Sequence, residues 1–223
     1  MVELQQAQAA YVPAFEAEKL VYVDIADQSG FSLDTGTHYL ANTAYFIPKA
    51  DEFILALANS NTSWFALAGF AAILRGGFIR LFNQNVEMLP IPKTDDVARA
   101  KLTQFARLSG RAAEQRLSRQ TAFRRRIPDL CPAGREPNLN GKLHDWWELT
   151  NFAAFRAAVK AQFKAEIPLA VRTQWEDWFN AEKAEVARLS AEIERNEAEI
   201  NAIVYRLFDL TPDEIKLLEG SLR

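Results

Sequence analysis

Apolar positions along the chain change period several times, and each change marks an element. Lys19–Ile25 alternates apolar with other residues. Thr43–Ile47 is rich in β-branched and aromatic residues and stops at Pro48. Both stretches predict short strands. Phe31–Leu33 predicts another, set between the turns Asp27-Gln28-Ser29-Gly30 and Asp34-Thr35-Gly36. From Asp51 to Asn59 the apolar set Phe53, Ile54, Leu57 and Ala58 recurs at three and four, which predicts a helix packed on one face. Ser60-Asn61-Thr62-Ser63 interrupts it, and Trp64–Leu74 is again helical in pattern. Gly76-Gly77 is read as the end of that helix, with strand-like alternation over Phe78–Phe82. Leu89-Pro90-Ile91-Pro92 then forces an extended exit. Residues 1–17 show no clear period and read as a lead-in.

Beyond Pro92 the pattern is helical. Thr94-Asp95-Asp96 offers caps for a helix running to about Arg125, with the modest apolar set Leu102, Phe105, Leu108, Ala112 and Leu117. Pro128–Gly141, with its prolines and glycines, is a loop. Asn151 can cap a helix through Lys164 that carries Phe152, Phe155, Val159 and Phe163 on one face. Trp175–Leu207 is the clearest helix. Phe179, Val186, Leu189, Ile193, Ile200, Ile203 and Leu207 form a heptad seam in which Glu182 and Asn196 are polar members. Its expected partner is Val97–Arg125, antiparallel. Thr211-Pro212-Asp213-Glu214 is a capping box opening a last short helix. The fold class is therefore α+β: a mixed α/β unit over residues 1–93, then a helical unit over 94–223 with a long coiled-coil-like helix pair.

Composition narrows the classes. At 49% apolar residues the 223-residue chain can bury a core. No run of about 18 apolar residues is present, so no membrane span is expected. The lone Cys131 offers no disulfide framework and fits a reducing, cytoplasmic setting. The net charge of −3 hides a strong asymmetry. Residues 71–126 hold twelve basic and four acidic residues, between flanks with an acidic excess. A local basic patch attracts phosphates whatever the sum, so the bulk charge does not exclude nucleic acid.

Four stretches in order carry a resemblance: Asn42-Thr43-Ala44-Tyr45-Phe46-Ile47-Pro48, Leu55-Ala56-Leu57-Ala58-Asn59-Ser60, Arg75-Gly76-Gly77 and Leu89-Pro90-Ile91-Pro92. Together they resemble the target-recognition region of type IIG restriction–modification enzymes and related adenine-N6 DNA methyltransferases. Lys19–Ala26 looks like the strand that opens this region, and Asn201–Ile215 like the end of such enzymes. The resemblance implies a DNA sequence-recognition module that seats duplex DNA and presents an adenine to a methyltransferase catalytic domain of the same enzyme. It also implies that S-adenosylmethionine is bound by that domain, not by this chain. The expected partners are double-stranded DNA and that domain, with the chain itself a monomer.

The sequence carries no catalytic motif of its own. An Asn-Pro-Pro-Tyr type tetrapeptide, a Gly-rich cofactor loop, a P-loop and a His-Glu-x-x-His are all missing. His38 and His144 lie far apart without a cysteine pair, so no metal site is expected. Asp213-Glu214-Ile215-Lys216 superficially resembles a nuclease motif, but its acids sit where they complement a helix dipole.

The candidate DNA contacts begin with Arg75, Gly76, Gly77 and Arg80. Glycines let backbone approach a phosphate, and arginine pairs bidentately with guanine or phosphate. The bland reading is a helix C-cap with solvated arginines. Asn83 and Gln84, with Asn85, offer amides suited to adenine edges, or else a turn bonding its own backbone. Arg107, Arg111 and Arg125 belong to a basic stripe with Arg116, Arg119, Arg124 and Arg126. That stripe serves either phosphates or the acidic helix Glu182–Glu199. Trp146-Trp147 and Trp175…Trp178 are read as core aromatics. The second functional reading is a helical interaction module in which residues 94–223 dock on a partner subunit.

Overall fold

A computed structural model describes residues 12–221, so most of the 1–17 lead-in lies outside the described residues. The architecture is α+β, and it divides into two compact units, Met1–Leu108 with Asn196–Arg223 and Ser109–Arg195.

The first unit holds all the strands. α1 (Val12–Glu16) leads into β1 (Lys19–Val23), β2 (Ile25–Ala26), β3 (Ser32–Asp34) and β4 (Ala44–Pro48). One antiparallel sheet has the order β3-β1-β4, with Leu20 opposite Leu33 and Ile47, and Tyr22 opposite Tyr45. Alternation along β1 sends Leu20 and Tyr22 inward and leaves Val23 exposed. Beneath this sheet runs α2 (Glu52–Ala58), N-capped by Asp51, whose side chain accepts the Ile54 N–H. Asn59 then acts as a piece of strand. Its amide accepts the Phe31 N–H at 2.9 Å and donates to the Phe31 carbonyl at 2.9 Å.

The interruption expected at Ser60–Ser63 is the start of α3 (Asn61–Phe70): the Ser60 hydroxyl caps it by accepting the Ser63 N–H at 3.2 Å. The helix ends sooner than its apolar pattern suggests. Ala71 turns extended, at φ −81° and ψ 155°, and the chain enters β5 (Ala72–Ile73) and β6 (Ile79–Arg80). The reading of Trp64–Leu74 as helix and of Gly76-Gly77 as its C-cap is thus corrected. These glycines form the turn of a hairpin, closed by the Leu74 N–H on the Phe78 carbonyl at 2.7 Å. The physical reason for the misreading is shared chemistry, since a helix C-cap and a tight hairpin turn both need positive φ. Here φ is +88° and +85°. The second sheet has the order β2-β6-β5.

α4 (Asn83–Val86) follows, and α5 (Asp96–Arg126) starts where the Asp95 carboxylate accepts the Ala98 N–H at 2.7 Å. In this unit the first turns of α5 meet the end of α8 (Leu169–Leu207): Leu102 and Ala106 cluster with Ile200, Ile203 and Val204 against Phe53, Ala56 and Leu57 of α2. α9 (Pro212–Ser221) closes the unit behind the expected capping box, with the Glu214 carboxylate accepting the Thr211 N–H at 2.8 Å.

The second unit is helical. After α5 come a turn of 3-10 helix over Ile127–Leu130, α6 (Gly141–His144), a second such turn over Trp146–Glu148 and α7 (Phe152–Phe163). Asn151 caps α7 as its sequence suggests, accepting the Ala154 N–H at 3.0 Å. Phe123, Trp146, Phe152, Phe155, Val159, Phe163 and Phe179 form one aromatic core, with Phe123 and Trp146 ring centroids 4.1 Å apart. The seam of α8 is buried here at Phe179, Val186, Leu189 and Ile193. Arg116 reaches Ser190 and Arg119 reaches Glu182, so α5 and α8 run antiparallel.

Candidate nucleic-acid interface

The residues singled out in sequence fall into three situations. Arg75, Gly76 and Gly77 are exposed together at the turn of the β5–β6 hairpin, and Arg80 ends its second strand. Asn83 and Gln84 follow in the first turn of α4, both exposed, whereas Asn85 is buried with its Nδ2 3.4 Å from the Phe70 carbonyl. Six candidates therefore lie on one short stretch of the first unit. Arg107 belongs to the same unit, while Arg111 and Arg125 lie in the second.

Electrostatics sort the arginines further. Arg80 donates through Nε to Asp24 Oδ1 at 3.2 Å and through Nη2 to Asp24 Oδ2 at 2.9 Å. The carboxylate beside it raises the guanidinium's pKa further, and the Phe82 ring lies 4.9 Å from its Cζ. Arg107 grips Glu52 with Nε at 3.0 Å and Nη2 at 2.8 Å, which holds that carboxyl below its usual range. Arg99 pairs with Asp51 at 2.6 Å. Along the rest of the stripe, Arg119 pairs with Glu182, Arg126 with Asp129, and Arg124 donates to the His144 carbonyl. Arg75, Arg111 and Arg125 make no hydrogen bond or ion pair among the described residues. Only Arg116 and Arg119 thus reach toward the acidic helix, and the other paired members look elsewhere.

The outward face of the hairpin is mixed. Cross-strand partners share a face, and Arg80 lies opposite Ile25 on one side and Ala72 on the other, both exposed. Ile79 and Ala26 occupy the inner face and are buried. Nearby, Tyr22 and Tyr45 stack with centroids 5.6 Å apart. Burial first, then the neighbouring Tyr45 and Glu87, pushes the Tyr22 hydroxyl up to about 12.

Sequence reasoning missed Asp24 as Arg80's partner. A signal was there: Asp24 is in phase with the inward-facing Leu20 and Tyr22, so its carboxylate needed a cation. Among the described residues no group of His, Cys, Asp or Glu is arranged to hold a metal, and no helix is long and apolar enough to cross a membrane.

Residues 95–204, just under half of the chain, match a family described as a domain of unknown function, DUF8810. No curated protein and no solved structure matches the chain.

Proposed function

We propose that the chain is the DNA target-recognition module of a restriction–modification type adenine-N6 methyltransferase. It would seat duplex DNA for a catalytic domain outside these 223 residues, where S-adenosylmethionine would bind. One observation carries this reading: the β5–β6 hairpin exposes its Gly-Gly turn with an unpaired arginine on it, and exposed amides follow its second strand. Arginine and amide side chains are the donors that read base edges in the major groove of B-DNA. Positive φ at Gly76 and Gly77 keeps the turn narrow and leaves no side chain between backbone and a phosphate.

Fluorescence anisotropy of the full chain with a labelled duplex tests the proposal. Binding on the order of 10⁻⁴–10⁻⁶ M at physiological salt is expected, tightening as salt falls. Arg75→Ala should weaken it, since Arg75 has no protein partner to lose. Absence of duplex binding even at low salt would turn the reading toward a helical module that docks on a partner protein. The exposed Leu117 and Leu169 on α5 and α8 would then be the first side chains to test.

A further inference from the structure

Arg80 and Arg107 are both held through Nε and Nη2 by a carboxylate, but of the two Arg80 meets both carboxylate oxygens and packs on a ring, Phe82. We propose that Asp24 is a positioning residue that presets Arg80 to read a guanine, an inference that rests on the chain being a DNA-recognition module. Asp24 is itself fixed on both sides: its N–H donates to the Thr43 carbonyl at 2.9 Å and its carbonyl accepts the Leu81 N–H at 2.7 Å. Its carboxylate takes one flank of the guanidinium, through Nε and Nη2, while Phe82 packs against the planar group. Of the five N–H donors of an arginine, three remain, two on Nη1 and one on Nη2. These form the end-on fork that matches guanine O6 and N7. Arg80 keeps 43% of its side chain exposed, whereas Asp24 keeps 13%, so the free fork lies at the surface and the carboxylate beneath it. The flanking Ile25 and Ala72 leave Arg80 as the charged group among its cross-strand neighbours. A phosphate is a poorer ligand for this site, because the Asp24 charge already compensates Arg80 and repels a second anion. Phosphate contact falls instead to arginines without a carboxylate, such as Arg111 and Arg125.

The same pair could merely tie β6 to the end of β1, so the test reads sequence preference and not stability. The full chain is incubated at low salt with a randomised duplex pool, and the bound fraction is sequenced. The enriched duplex is then titrated by anisotropy with guanine, adenine or 7-deazaguanine at each enriched position. Wild type should select a fixed guanine and lose affinity by about 5–150-fold when it is replaced, with 7-deazaguanine showing the loss of the N7 contact. Arg80→Lys keeps a cation for Asp24 but not the fork, and should flatten preference at that position alone. Asp24→Asn should lower preference at the same position by less. Duplex binding with no guanine position sensitive to Arg80→Lys overturns the inference and leaves the recognition-module reading standing. An equal loss on all sequences does the same, by making Arg80 a phosphate contact. Failure of wild type to bind any duplex removes both.

Discussion

Single residues show where the first unit concentrates its polar commitments. Lys19 is fully buried, and its ammonium is held by the Asp34 carboxylate and by the Phe15 carbonyl at 2.6 Å. Asp34 has further donors in the Thr37 hydroxyl at 2.9 Å and His38 Nδ1 at 2.9 Å. The two partners are therefore unequal. Asp34→Ala would strand a buried ammonium on one carbonyl and should cost about 3–5 kcal/mol, the range for breaking a buried pair. Lys19→Met leaves Asp34 with its remaining donors and should cost clearly less. Hydrogen bonds from His38 first, then Lys19, hold the Asp34 carboxyl well below the usual carboxylate range. A depressed carboxyl stabilises the fold fully above the unfolded value near about 4, and that stabilisation is lost as pH falls below it. Urea titrations at pH 7 and pH 3 check both points. Asp34→Asn should narrow the difference between the two pH values, and equal costs for the two single variants would refute the asymmetry.

Elements differ in how much of themselves they disclose in sequence. The α8 seam was legible because its period extends along most of a 39-residue helix, and each apolar member from Phe179 to Ile203 is buried. Caps at Asp95, Asn151 and Thr211 were legible because a side-chain oxygen just before an apolar run has a local target. The β5–β6 hairpin was not legible as a hairpin. Phe78–Phe82 was read as a strand and holds β6, but Ala71–Leu74 continues the apolar pattern of α3, and β5 is set by its pairing with β6 across the glycine turn. The candidate site suffered in the same way: its arginines could be listed, but their partners Asp24 and Glu52 stand 56 and 55 residues away. Asn196 shows what an element exchanges for order. It is buried on the α8 seam in the first unit, and its Nδ2 has no hydrogen-bond partner among the described residues. An unsatisfied buried amide costs about 1–3 kcal/mol. Asn196→Leu should thus raise the thermal midpoint by several degrees. If the amide also fixes register, sedimentation should show a broadened oligomeric state. A lower midpoint with unchanged mass would show that the Asn196 carbonyl makes a contact the fold needs.

At the scale of the whole molecule, the proposed DNA reading raises the question of how a chain of net charge −3 would attract a polyanion. Much of the basic excess of residues 71–126 is consumed by acids within each unit. Arg80, Arg99 and Arg107 are taken by Asp24, Asp51 and Glu52 in the first, and Arg119 and Arg126 by Glu182 and Asp129 in the second. The acidic flanks thus supply fixed counter-charges to these arginines, and on the proposed reading the arginines left over would decide the salt response. Each phosphate neutralised contributes about −0.9 to the slope of log K against log salt. Arg111→Ala and Arg125→Ala, which remove unpartnered cations, should each reduce the slope by about one and weaken all duplex sequences alike. Arg107→Ala frees Glu52 instead of a phosphate, so its slope should stay close to wild type while thermal stability falls slightly, as for an exposed pair. Anisotropy titrations of the four proteins between 50 and 200 mM salt, roughly the range over which such slopes are read, separate these outcomes. Should Arg107→Ala flatten the slope while Arg111→Ala and Arg125→Ala leave it intact, the pairs seen here would have to open on DNA, and the phosphate path would run along the first unit alone.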